Sequence, residues 1–214
     1  MVKAFSFSTF SLAAWVTISI HIYLQGKNMG KINYFLLFQL LIGLFLVFLP
    51  NLIQRIFHIS FPIQLFNFYQ LFLIASVFVG TGLNFVNKIP HWDKALHVLS
   101  GILFSLLAYS LLTLIVDTRA SHSIWLFLFG GLCFSLTIGV LWEFWEFFCD
   151  SFFGMNLQQF NGSQKVPKLG QLALMDTMID LLADFVGALV IAMLTLFQYF
   201  HQDDYLLRYL ITKN

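Results

Sequence analysis

The chain is short of charge. Of its 214 residues only 10% are charged, against 59% hydrophobic, and its mean hydropathy is +0.84. A soluble domain carries about 25% charged residues, so this composition cannot cover a water-exposed globule. The net charge of +1 supplies no basic stripe for a nucleic-acid partner. Cysteine is nearly missing. The only two, Cys133 and Cys149, lie on one expected helix, without the spacing of a metal pair. That excludes a disulfide framework and leaves them as small apolar fillers. Glutamate is equally scarce: Glu143 and Glu146 are the whole supply. They stand three residues apart in WEFWEFFCD, at the end of a long apolar run, where a carboxylate costs about 2.5–3.5 kcal/mol even on the lenient insertion scale.

What the chain has is hydrocarbon. Its 27 phenylalanines exceed what one soluble core can hide. Crossing a bilayer takes about 20 apolar residues, and six stretches qualify: 5–24, 34–53, 63–86, 94–116, 123–148 and 171–199. The first follows Lys3, but it is long enough to span and lacks a small-residue cleavage site, so it reads as a helix rather than a signal peptide. The breaks carry turn chemistry: Gln-Gly-Lys-Asn at 25–28, Ser-Phe-Pro at 60–62, Asn-Lys-Ile-Pro at 87–90 and Asp-Thr-Arg at 117–119. The longest, 151–170, holds Asn161-Gly162 and Pro167. The expected fold is all-α. Residues 1–214 form one integral membrane domain, a polytopic transmembrane helical bundle with both termini on the same side. Five basic residues on the terminal side (Lys3, Arg55, Arg119, Arg208, Lys213) face five on the other (Lys27, Lys31, Lys88, Lys165, Lys168). The positive-inside rule therefore gives no orientation.

The acids are organised. Asp117, Asp203 and Asp204 fall in a loop and the tail. The other seven form three clusters. HWDKALH carries Asp93 and His97 at the start of span four. WEFWEFFCD carries Glu143, Glu146 and Asp150 at the end of span five. MDTMIDLLADFVGA carries Asp176, Asp180 and Asp184 at the start of span six. The span count puts all three on one side of the membrane. At about 100° per residue, Glu143, Glu146 and Asp150 fall within about 60° of one another, and Asp176, Asp180 and Asp184 within about 80°. Gly187 shares that second sector, and Asp93, His97 and Ser100 share a face of span four.

Charges inside a bilayer point into a bundle interior or a wet cavity, so the three faces are expected to look at one another. Gly187-Ala188 and Ser100-Gly101 would let backbones approach closely. Asp184 lies about 12 Å along its helix from Asp176, which implies a funnel with its floor inside the bilayer. Seven acids meet only Lys94 and His97 as basic partners within the spans. An ion-pair network holding helices together is one reading of the clusters. The surplus of negative charge points instead to a metal ion, protons or a cationic substrate. The oxygen-rich ligand set Glu143, Glu146, Asp150, Asp176, Asp180 and Asp184, with His97, suits a divalent metal ion: Mg, Mn, Ca or Zn. His21 and His58 read as interface residues, and His91 as a loop-borne contributor. Trp92, Trp142 and Trp145 fit an aromatic belt. Asn67, Gln70 and Asn84 are expected interhelical hydrogen-bond partners, and Asn156, Gln158 and Gln159 a cover for the funnel mouth.

The segments HWDKALHVLSG, WEFWEFFCD, FGMNLQ and LMDTMIDLLADFVGA resemble the uncharacterised bacterial membrane family typified by YjdF. The likeness covers about residues 90–200. Its pattern is an Asp-Lys-x-x-His segment, a Glu-x-x-Glu segment and an Asp-rich last helix ending in Gly-Ala. The first of these alone also resembles VanZ-like membrane proteins. The resemblance implies a bacterial inner-membrane location and groups Asp93, His97, Glu143, Glu146, Asp176, Asp180 and Asp184. It brings no activity with it.

The expected function is a metal-dependent hydrolase or group transferase acting on a phospholipid or polyprenyl phosphate. His97 with Asp93 would handle protons, and Lys94 would hold the anionic head group. No nucleophile signature points to a covalent intermediate. A proton- or cation-coupled carrier is the competing reading, although inverted repeats are not visible. A non-catalytic partner of an envelope-synthesis machine is a third. Membrane lipid is the expected partner, and a carrier of six spans would call for a homodimer.

Overall fold

A computed structural model describes residues 34–115, 124–161, 166–201 and 212–213, with scattered positions between 12 and 27. The first expected span, 5–24, therefore lies largely outside the described residues. So do the loop at 116–123, most of the tail after 201, and with them the side on which the termini lie.

The chain is an all-α polytopic bundle. Helix α1 covers Tyr34–Phe57 and α2 Ile63–Leu73, which a π-helical stretch, Ile74–Gly82, continues. A single-turn helix α3 follows at Phe85–Lys88, then α4 at Trp92–Ile115, α5 at Ile124–Phe153 and α6 at Gln171–His201. Two-residue strands β1 (Ile59–Ser60) and β2 (Thr212–Lys213) pair antiparallel, Ile59 opposite Lys213. Among the described residues, five helical stretches are long and apolar enough to cross a membrane: Leu36–Phe57, Ile63–Gly82, Trp92–Ile115, Ile124–Phe153 and Gln171–His201.

Their ends differ from the expected ones for local reasons. Helix α1 runs past residue 53 and stops where His58 takes φ 52°. Span three is not one α-helix. Its second half widens to π geometry through the weak helix formers of Val-Gly-Thr-Gly and ends as Asn84 turns left-handed at φ 63°. Helix α5 continues past 148, because Phe152 and Phe153 extend its apolar surface, and stops at Gly154 with φ 63°.

The chain divides into two compact units. One comprises residues 1–96, 113–117 and 205–214, and the other residues 97–112 and 118–204. The first has a core of Trp15, Leu40, Val47, Leu73 and Phe78. The Trp15 and Phe78 rings meet edge to face, 3.9 Å between centroids. Gly43 admits that indole, since a Cβ on Gly43 would fall inside the Trp15 ring. Gln70 donates from Nε2 to the Val47 carbonyl at 2.9 Å, and the Tyr69 hydroxyl donates to the Leu46 carbonyl at 2.9 Å. These bonds tie α2 to α1 where the hydrophobic effect between lipid-bathed helices is weak.

The second unit is built from α4 beyond Leu96, α5 and α6. On α5 the buried positions are Leu128, Gly131, Ser135, Gly139, Glu143, Glu146, Cys149 and Asp150. On α6 they are Asp176, Asp180, Ala183, Asp184, Gly187, Ala188, Ile191 and Ala192. Both are helical-period stripes of small and acidic residues. The opposite face of α5 exposes Trp142, Phe144, Phe147 and Phe148. The polarity is that of a membrane bundle, apolar outside and polar within. Close approach makes it possible. A Cβ on Gly101 would strike the Asp184 carbonyl, and one on Gly187 the Val98 carbonyl. Ser135 donates to the Gly101 carbonyl at 3.2 Å, and Ser105 to the Gly131 carbonyl at 3.3 Å.

Candidate functional site

The site assembles from the second unit. His97 lies on the buried face of α4, one turn into the helix. Its Nδ1 is 3.0 Å from Asp184 Oδ2, and its Nε2 is 3.8 Å from Asp180 Oδ1. Ser100, one turn on, donates to the other Asp184 oxygen and to the His97 carbonyl, the latter at 2.8 Å. Both Asp184 oxygens are thus engaged. Gly139 on α5 completes this corner, because a Cβ there would fall on the Asp184 carboxylate. Burial deepens along α6, from 8% exposure at Asp176 to 0% at Asp180 and 1% at Asp184.

Glu143 sits on α5 one turn beyond Gly139, 4% exposed. Gln158 approaches its Oε2 with Nε2 at 3.4 Å, while Glu143 Oε1 is buried without a hydrogen-bond partner among the described residues. The Thr177 hydroxyl also hydrogen-bonds this carboxylate, and His97 and Asp176 lie within electrostatic reach of it. Glu146 accepts from Trp142 Nε1 at 3.0 Å. The expected belt role of that indole is therefore joined to a polar one. Asp150 is spent differently. Its two oxygens accept the backbone N–H groups of Leu157 at 2.7 Å and Gln158 at 3.0 Å.

Asp93 and Lys94 occupy the first turn of α4, in the other unit, and pair with each other at 3.2 Å. His91 is exposed; its carbonyl accepts the Ala95 N–H at 3.0 Å and starts the helix. The structure thus gathers His97, Asp180 and Asp184 at one point and brings His97 and Asp176 to bear on Glu143. It commits Asp150 to a loop. Sequence reasoning missed Gly139 and Thr177. The first had a usable signal, a glycine one turn before Glu143 on the same stripe. The second, which accepts from Gln158 Nε2 at 3.0 Å, had none.

A family model described as "Predicted membrane protein (DUF2238)" matches residues 7–202. The chain belongs to this family. An uncharacterised protein of Thermotoga maritima is 33% identical over 152 residues, an alignment that covers 68% of each chain. No solved structure matches. The match spans every membrane helix described above, so the acidic stripes of this DUF2238 protein lie within the family's own length and not in an appended segment.

Proposed function

We propose that this membrane protein holds a divalent cation at Glu143 and Asp180, with His97 beside it as the acid–base group, and is an enzyme that hydrolyses, or transfers a group from, a phosphate-bearing lipid. The observation that carries the reading is the buried, unpartnered Oε1 of Glu143 beside an imidazole already oriented by a carboxylate. A carboxylate oxygen removed from water with nothing to accept from is costly unless a cation or a proton meets it. Six buried acids, Glu143, Glu146, Asp150, Asp176, Asp180 and Asp184, share this unit. Its helices α5 and α6 carry no lysine or arginine. The carboxylate of Asp184 facing His97 Nδ1 holds the imidazole in one tautomer and leaves Nε2 to accept a proton. The ligand set suits Mg, Mn, Ca or Zn. The resemblance to the YjdF-typified family groups the same residues in the bacterial inner membrane.

A divalent ion held there would supply Lewis acidity to a phosphoryl oxygen and to the attacking water. The chain's own residues do the rest. Asp184 and Ser100 hold the imidazole with Nδ1 protonated, so that Nε2 faces the carboxylates. His97 takes the proton of the attacking water as its oxygen bonds to phosphorus. It returns that proton to the lipid alkoxide as the old phosphorus–oxygen bond breaks.

The test is elemental analysis after chelator-free purification in mild detergent, followed by an assay for lipid alcohol release. Wild type should carry at least one divalent ion per chain, and Glu143→Gln and Asp180→Asn should lower that content. His97→Ala should slow turnover by about 10²–10⁴-fold, the usual contribution of a positioned acid–base group. A wild-type protein free of divalent metal overturns the reading.

A further inference from the structure

Asp150 is one of three buried acids, with Glu146 and Asp176, that the proposed chemistry leaves unused, and FGMNLQ is a motif that it does not explain. The two meet. Helix α5 ends at Phe153, Gly154 turns left-handed, and the chain doubles back so that the N–H groups of Leu157 and Gln158 point at the Asp150 carboxylate, at 2.7 and 3.0 Å. Asn156 and Asn161 close the loop on itself. Asn156 Nδ2 donates to the Asn161 carbonyl at 3.2 Å, and the Asn161 N–H donates to Asn156 Oδ1 at 2.8 Å. Gln159 takes φ 47°, which reverses the chain just past Gln158. The product is one side chain delivered inward: the Gln158 carboxamide, with Nε2 3.0 Å from Thr177 Oγ1 and 3.4 Å from Glu143 Oε2.

We propose that Asp150 is the anchor of this loop rather than a metal ligand, and that Gln158 is a positioning residue. Its carboxamide, together with the Thr177 hydroxyl that it also meets, turns Glu143 so that Oε1 faces the bound cation. This rests on the reading of Glu143 as a ligand. Two charge-assisted bonds to backbone amides occupy both Asp150 oxygens and satisfy donors that a chain reversal would otherwise strand. The longer Gln158–Glu143 bond spends only Oε2. A neutral donor at that place holds the carboxylate without cancelling its charge, as outer-shell partners of metal ligands do.

Two readouts separate the roles, and neither is turnover. The first is hydrogen–deuterium exchange of the Leu157 and Gln158 amides in detergent. Asp150→Ala should speed both by about tenfold or more, the scale of a lost charge-assisted bond. The second is Mn²⁺ titration followed by electron paramagnetic resonance. Glu143→Gln should weaken Mn²⁺ by about a hundredfold while leaving loop exchange alone, and Gln158→Ala by about tenfold, within the 10–100-fold typical of outer-shell partners. Gln158→Glu should lower the melting temperature of the ion-free protein and tighten Mn²⁺, because it sets a second carboxylate beside Glu143. A merely structural Gln158 would lower the ion-free melting temperature and leave Mn²⁺ affinity unchanged. Unchanged amide exchange in Asp150→Ala overturns the anchor. Mn²⁺ loss in Asp150→Ala as deep as in Glu143→Gln restores Asp150 as a ligand. Wild type that binds no Mn²⁺, with the exchange result intact, overturns the cation reading and the role of Gln158 while the anchor stands.

Discussion

Glu143 and Asp184 have the same functional group and opposite situations. One has an oxygen without a donor, and the other has both oxygens satisfied, by His97 and Ser100. Residue type and helical face were legible in the sequence, which is why both acids read there as ligands. Which lone pairs are already used was not, because that depends on the neighbouring helix. Asp150 repeats the lesson: its partners are backbone amides of a loop whose path turns on Gly154 and Gln159. Gly139 gives a clean test at this scale. A methyl group there would fall on the Asp184 carboxylate, so Gly139→Ala should cost about 1–3 kcal/mol as overpacking does, and should move His97. Gly131→Ala is the control. It meets the ring of Tyr109 instead, so it should destabilise without touching His97. The check is the melting temperature together with the ¹⁵N resonances of the His97 imidazole. An unmoved His97 in Gly139→Ala would show that the carboxylate does not depend on this corner.

Among elements, the decisive contact is the crossing of α4 and α6. Gly101 and Gly187 serve each other's helix. The space for a Cβ on one is filled by the backbone of Asp184 and Ala188, and on the other by that of Val98 and Ile102. Ser100-Gly101 and Gly187-Ala188 were legible as small pairs, and close approach is what small pairs permit. The helix ends were less legible. A hydropathy window registers apolar length but not the left-handed residues that stop a helix, His58, Asn84 and Gly154. Nor does it register the π-helical stretch at Ile74–Gly82, where register changes while composition stays apolar. Because backbone cannot rotate away as a side chain can, Gly187→Leu should separate α4 from α6 and break the His97–Asp184 bond. The expected loss is about 3 kcal/mol, at the upper end of overpacking, read as a lower midpoint in SDS denaturation. A midpoint equal to wild type would mean that the two helices do not need their close crossing.

For the whole molecule, composition gave the class at once, since five described helices are long and apolar enough to span. Stability decides between the two accounts of the acids, because they predict opposite signs. If the acids hold a divalent ion, they repel one another in its absence. A chelator should then lower the melting temperature in detergent, and excess metal should restore it by mass action, by about 2.7 kcal/mol at a hundred times the dissociation constant. The double substitution Glu143→Gln with Asp180→Asn removes two charges from that crowd. It should make melting indifferent to chelator and raise the stability of the metal-free form. If the acids instead form an ion-pair network, chelator should leave wild type unchanged. The same double substitution would take Asp180 from His97, now 3.8 Å away, and should destabilise by about 3–5 kcal/mol, as breaking a buried pair does. Wild type that ignores chelator, beside a strongly destabilised double variant, would leave Glu143 as a structural residue and remove the ground for a metal enzyme.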